Sequence, residues 1–385
     1  MLERVNVSAD IWQWVQNTLN FSFLKDSIRG KLEEWVSGDK QPTFNQLEDF
    51  SKSTRIPLGY FFLETPPEES YPVLEYRTIN SIALDNPSRD LLDTISQMER
   101  IQEWMREYLI DLDAQPVKYI GSLNQNETAI NIAHELRSIL SLSETWYEEV
   151  KNKDDAFVMI RTTIQGIGIL VMQNGVVGKG TKRPLSLSEF RAFTLIDNFA
   201  PLIFLNSRDN AGSRLFSLLH EFVHIGLGRN SLFNVPKWYV DPIETFCNKA
   251  VAEIIVPERQ FRDVWGKSIV DLRGNVDRVA RHYRCSHSVV ARRAYDFKLI
   301  SHSDYQQLMD FAKTIAKNNE ANKKESSGGP DPLRLMRSRL DSRFLSALTS
   351  SLKEGRTLYT EALKLTNANR STLDLYETEM RGGKI

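Results

Sequence analysis

Cysteine is nearly absent from this chain of 385 residues: there are two, Cys247 and Cys285. A secreted scaffold stapled by disulfides does not fit that count, and a reducing compartment does. Long apolar runs are also missing. None approaches the roughly 18 residues that a bilayer span needs, so no membrane partner is expected. There is no excess of charge of either sign. With 49 basic and 50 acidic side chains the formal net charge is −1, so any contact with nucleic acid would need a local basic patch. The opening MLERVNVSADIWQW lacks the basic-then-apolar layout of a signal peptide, and the chain reads as cytoplasmic. No internal repeat is visible. What remains is an ordinary globular composition, 41% hydrophobic and 26% charged, long enough for two or three domains and a sizeable core.

The hydrophobic pattern divides the chain. Residues 1–70 read as helices, with IWQWVQNTLNF and FNQLEDFSKST amphipathic on either side of a turn at Pro42. Residues 71–150 form a helical connecting region that includes RDLLDTISQMERIQEWMREYLIDL. The texture then changes. AFVMIRTTI and GIGILVMQNGVVGKG are short β-branched runs and read as strands, SLSEFRAFTLID as a short helix and PLIFLN as a third strand. Helices follow to residue 316. KNNEANKKESSGGPDP, residues 317–332, has the composition of a linker. Residues 333–385 form a helical tail whose Leu345, Leu348, Leu352, Leu358, Ala362 and Leu365 make an apolar stripe, expected to pack against the main body or a second copy. The fold class expected is α+β and mostly helical: a small central sheet within residues 151–316, flanked by helical N- and C-terminal regions.

Within LFSLLHEFVHIGLG (215–228), two histidines and a glutamate interrupt a core-like helix. His220 and His224 lie four residues apart, so on a helix they project from one face about a turn apart and can reach one metal ion. Glu221 sits beside them, placed to receive a proton from a metal-bound water. H-E-x-x-H on a helix is the signature of a zinc hydrolase with glutamate as general base. A catalytic zinc needs a third protein ligand. Glu244, twenty residues after His224 on a second helix (IETFCNKAVAEIIV, stopped by Pro257), is the candidate, with Asn248 one turn further on to orient a ligand. The other histidines do not compete: His134 is expected on a helix surface, His282 and His287 in a basic segment and His302 in a turn. Cys247 is expected to be a buried structural thiol.

This H-E-x-x-H … E-x-x-x-N spacing resembles the thermolysin-type, or gluzincin, arrangement. NSRDNAGSRLFSLLHEFVH and ETFCNKAVAEIIVP, with GIGILV, EFRAFTLID and APLIFLN ahead of them, resemble the ImmA/IrrE family of metallopeptidases over roughly residues 155–260; EYRTINS (75–81) matches more weakly. The resemblance implies a zincin-like peptidase domain, one Zn2+ per chain on His220, His224 and Glu244, and Glu221 as general base. It also implies a protein substrate, a helix-turn-helix repressor whose cleavage releases mobile-element or stress genes. Val223 departs from the family, standing where a small residue is common, and is expected to narrow the substrate cleft. Tyr239 is the candidate for oxyanion stabiliser.

Two segments raise DNA binding. LEEWVSGDKQPTFNQLEDFSKSTRIPLGYFFL resembles the second half of an Xre-type helix-turn-helix, but between Asn20 and Trp35 there is only FSFLKDSIRGKLEE, too short for the two helices of the first half, so a degenerate unit is expected. NVDRVARHYRCSHSVVARRAYDFKLIS, within 273–300, reads as helix, turn at Cys285-Ser286, helix, packed through Ala280 and Val289. It carries seven Lys/Arg against two Asp between Arg273 and Lys298, with Arg278, Arg281, Arg284, Arg292 and Arg293 as candidate phosphate contacts. The second function these segments allow is a non-proteolytic, antitoxin-like regulator that binds DNA or a partner and keeps a vestigial zinc site.

Overall fold

The structure is a computed structural model and describes residues 4–18, 26–54, 56–67, 87–178, 183–233, 242–266, 271–323 and 331–381. The first helices, α1 (Ala9–Thr18), α2 (Asp26–Val36) and α3 (Phe44–Thr54), close with a 3-10 turn at Leu58–Phe62 around Trp12. The Trp12 ring lies 5.4 Å from Trp35, 6.0 Å from Phe50 and 5.7 Å from Phe61. Between residues 19 and 36 the described part holds one helix, α2. EYRTINS lies outside the described residues.

Helix α4 (Arg89–Asp111), capped by Ser88, and α5 (Ala129–Ile139), capped by Thr128, lead into α6 (Lys153–Ile167). This last helix corrects the strand expected at AFVMIRTTI. The Asn152 side chain accepts from the backbone N–H groups of Asp154 and Asp155, both acidic residues of the first turn, which favours a helix start there. Ala156, Phe157, Ile160 and Ile164 are buried while Val158 is 58% exposed. The period is therefore helical, and the β-branched composition misleads.

Among the described residues four strands form the sheet: β1 (Leu170–Asn174), β2 (Ala192–Leu195), β3 (Leu202–Asn206) and β4 (Ser231–Phe233), in the order β1-β3-β2-β4. β1 and β3 run parallel; β2 is antiparallel to β3 and to β4. Two of these strands differ from expectation. The stretch read as a helix, SLSEFRAFTLID, is a turn followed by β2, and β4 was not anticipated. Both faces of the sheet are covered, so every residue of β2 is buried and no apolar/polar alternation marks it as a strand. The alternation is present in space. Val171, Ala192, Ile203 and Leu205 enter one core; Leu170, Met172, Phe193, Leu195, Leu202 and Phe204 enter another.

The first core is closed by α7 (Ala211–Gly226), α8 (Pro242–Ile255), α9 (Glu258–Trp265), α10 (Leu272–His282), α11 (His287–Asp296) and α12 (His302–Lys323). α12 runs through Lys323, into the stretch expected to be linker from residue 317. The second core is closed by α4 and the C-terminal helices α13 (Pro332–Arg339), α14 (Ser342–Lys353), α15 (Tyr359–Thr366) and α16 (Arg370–Arg381). The tail therefore packs on the body through Leu345, Leu348, Ala362 and Leu365, while Leu358 leaves the stripe at 71% exposure. Asp341 fastens it. Its buried carboxylate caps α14 at Arg343 and Phe344 and accepts the Val171 N–H of β1 at 2.9 Å.

Close approach fixes α10 and α11 against α7. A Cβ at Gly212 would stand 2.9 Å from the backbone N of Ser286 and 3.1 Å from the carbonyl carbon of Cys285, whereas one at Gly166 in α6 would meet nothing within 4 Å. Alanine gains about 1 kcal/mol of helix propensity over glycine, but overpacking against backbone costs about 1–3 kcal/mol. Gly166→Ala should therefore raise the urea midpoint and Gly212→Ala lower it. Equal shifts of the same sign would refute the close packing.

Candidate metal centre

Helix α7 begins with Asn210, whose side chain accepts from Ser213 N–H at 3.0 Å, after Asp209 pairs with Arg191 ahead of β2. The helix is nearly all buried, and both imidazoles point inward: His220 is fully buried and His224 almost so. Glu244, in the first turn of α8, reaches them from the facing helix. Its carboxylate oxygens lie 3.0 Å from His220 Nε2 and 3.2 Å from His224 Nε2, and the two Nε2 atoms are 3.1 Å apart. These form the one group of three such ligand atoms among the described residues.

The triangle has the dimensions of a metal site. At zinc–ligand distances of 2.0–2.1 Å, neighbouring ligands of a tetrahedral ion are separated by about 3.3 Å. The charges agree. Burial works against ionisation of Glu244, yet the two imidazoles hold its carboxyl well below the usual carboxylate range. Such a set of inward donors calls for a cation. Glu244 is the partly exposed member, at 33%, so the centre opens towards α8.

Glu221 is fully buried on the neighbouring side of α7. Its Oε2 accepts from the hydroxyls of Thr194 on β2 and Ser231 on β4, which are themselves cross-strand partners. Neither hydroxyl figured in the sequence-based site. The other oxygen, Oε1, has no hydrogen-bond partner among the described residues. A buried polar atom left open in this way calls for an explanation; beside a metal triangle, a water is the fitting one. The fit is therefore good: three ligands for the ion, and a fixed carboxylate with one oxygen available.

The remaining expected residues are placed as follows. Asn248 is half-buried on α8, one turn after Glu244. Tyr239 lies outside the described residues. Val223 is fully buried in the core, so it does not narrow a cleft; the helix face it occupies is turned to packing. Cys247 is buried, and burial pushes its thiol pKa up although His224 opposes the shift, which suits a structural thiol. His134 is exposed on α5, His282 packs 5.1 Å from Tyr147, His287 Nε2 is 3.0 Å from Asp277 Oδ1 and His302 meets Gln306.

Each of the five candidate arginines of the basic helices has a partner within the molecule. Arg293 is buried and pairs with Glu253. Arg284 donates to the Val150 carbonyl at 3.0 Å and Arg278 to that of Val264 at 2.6 Å. Arg281 and Arg292 are exposed and pair with Asp277 and Asp296 on their own helices. A DNA-reading helix presents its N-terminal residues to base edges; here Cys285 and Ser286, at the start of α11, are buried against Gly212.

The hydroxyl clamp has a measurable consequence. Removing both donors strands a buried carboxylate, which costs about 1–3 kcal/mol, and more for a charged group. The double variant Thr194→Val/Ser231→Ala should unfold at clearly lower temperature than Thr194→Ser. Equal melting temperatures would mean that the clamp carries no energy.

A family model for peptidases described as the IrrE N-terminal-like domain matches residues 167–295. A second, described as a domain of unknown function (DUF8813), matches residues 340–379. No curated protein and no solved structure matches the chain. The first match runs from the end of α6 into α11 and contains the sheet, both histidines, Glu221 and Glu244. Residues 167–295, with the metal-ligand cluster inside them, thus form an IrrE N-terminal-like domain of the ImmA/IrrE metallopeptidase family.

Proposed function

We propose that the chain is a zinc-dependent endopeptidase of narrow specificity that cleaves a helix-turn-helix transcriptional repressor and so releases mobile-element or stress genes. One observation carries the enzymatic part: the His220–His224–Glu244 triangle stands next to a carboxylate, Glu221, with one oxygen clamped and the other open. Two imidazoles and one carboxylate suit zinc. Bound there, zinc would lower the pKa of a water to about 7 and polarise a peptide carbonyl. Glu221 Oε1 then takes the proton and later delivers it to the leaving amine. The Thr194 and Ser231 hydroxyls hold Oε2 throughout, so the carboxylate keeps its aim between the two transfers. The choice of a repressor as substrate rests on the family resemblance. The alternative of DNA binding by the α10–α11 segment is disfavoured by its buried turn and paired arginines.

The test separates metal from chemistry. Purified wild-type chain should carry about one zinc by mass spectrometry, Glu244→Ala far less, and Glu221→Gln as much as wild type. In cells, cleavage of a co-expressed helix-turn-helix repressor should fall at least about a hundredfold in Glu221→Gln. Undiminished cleavage by that variant would sink the proposed role of Glu221. Zinc-free wild type, even after reconstitution, would sink the metal reading.

A further inference from the structure

A cavity of about 270 Å³ lies on the face of the sheet opposite α7, where β1 and β3, α4 and the C-terminal helices meet. Its floor is apolar, from Met98, Ile101, Met172 and Phe204, and its rim carries Arg100 and Arg339. The acid on the rim, Asp93, is already paired with Arg183. Arg339, the last residue of α13, also lines a second hollow of about 340 Å³ beside the first.

The state of Arg339 is unlike that of the other arginines around it. Arg161 donates to the carbonyls of Ser338, Leu340 and Val171. Arg214 binds Gln173, Arg337 pairs with Glu379 and Arg183 with Asp90 and Asp93. Arg339 is half-buried and has no hydrogen-bond acceptor or carboxylate partner among the described residues. Desolvation lowers its pKa, and no neighbouring acid offsets that. A partly desolvated cation with its donors open is costly unless something pairs with it.

We propose that this cavity binds a small organic anion, a carboxylate or phosphate on an apolar body, with Arg339 holding the charged group and the Met98–Ile101–Met172–Phe204 floor holding the rest. The size fits. An apolar cavity of about 150 Å³ takes benzene, so this one has room for a ring and a charged substituent. Planar, forked recognition of carboxylate or phosphate is what a guanidinium does best. The ligand would touch α4, the sheet, the end of α13 and the end of α15 at once, tying residues matched by the model of unknown function to the peptidase domain. The inference is independent of the peptidase chemistry.

Isothermal titration of the full chain decides it, with phenyl phosphate and benzoate as the anionic probes and phenol as the uncharged ring. At least one anion should bind saturably, and phenol at least tenfold more weakly. Arg339→Gln should weaken the anion at least tenfold while leaving the ligand-free melting temperature unchanged or raised, because an unpaired charge is gone. The relative strength of the two anions tells phosphate from carboxylate. Saturable binding by neither anion overturns the proposal, as does equal affinity in Arg339→Gln. Should that variant not fold, phenol binding as tightly as the anions to wild type overturns it instead.

Discussion

Everything around the candidate metal centre follows from keeping a carboxylate and two imidazoles inside a helix that is otherwise core. Ionised groups removed from water must be paired or hydrogen-bonded, and α7 cannot supply partners from its own length. Glu221 is therefore met by hydroxyls from two strands, and the histidines by a carboxylate from α8. That requirement fixes how α7 sits over β2 and β4 and how α8 faces it. The packing of the domain and the geometry of the site are one solution to the same electrostatic problem.

The sheet divides the labour. On one face its side chains support α7; on the other they support α4 and the C-terminal helices. Thr194 belongs to the α7 face because it follows Ala192 by two residues, while Phe193 and Leu195 turn away. A one-residue slip in the β2–β3 register would withdraw the hydroxyl from Glu221 and bring a phenylalanine to it. The apolar contacts of Phe193 with Phe204 and Phe190 therefore guard a polar contact on the far side.

The ligand triangle was legible in the sequence because helical spacing puts His220 and His224 on one face, and the family pattern added Glu244. The mostly helical α+β class was legible for a similar reason: amphipathic helices announce themselves by period. What failed to show were elements whose surroundings erase the period. β2 is buried on both faces, and α6 is rich in β-branched residues although its Asn152 cap and paired aspartates mark a helix start. Thr194 and Ser231 could not be found from spacing, since 27 and 10 residues separate them from Glu221; the one hint is a threonine within the otherwise apolar AFTL. For the arginines after Arg273 a charge count does not say which guanidiniums are already paired: Arg293 lies buried on Glu253, whereas Arg281 and Arg292 stay exposed.

The match at residues 167–295 and the physical boundaries of the molecule are different things. Within those limits the chain lacks α5 and most of α6, which complete the core behind α7 and α8, and the helices α4 and α13 to α16 that close the core around Leu170, Met172, Phe193, Leu202 and Phe204. A fragment cut at those limits would hold every candidate zinc ligand and yet present a wet, aromatic sheet face to its neighbours, the kind of surface that drives self-association. In this molecule the unit that holds the candidate site is smaller than the unit that buries both faces of its sheet.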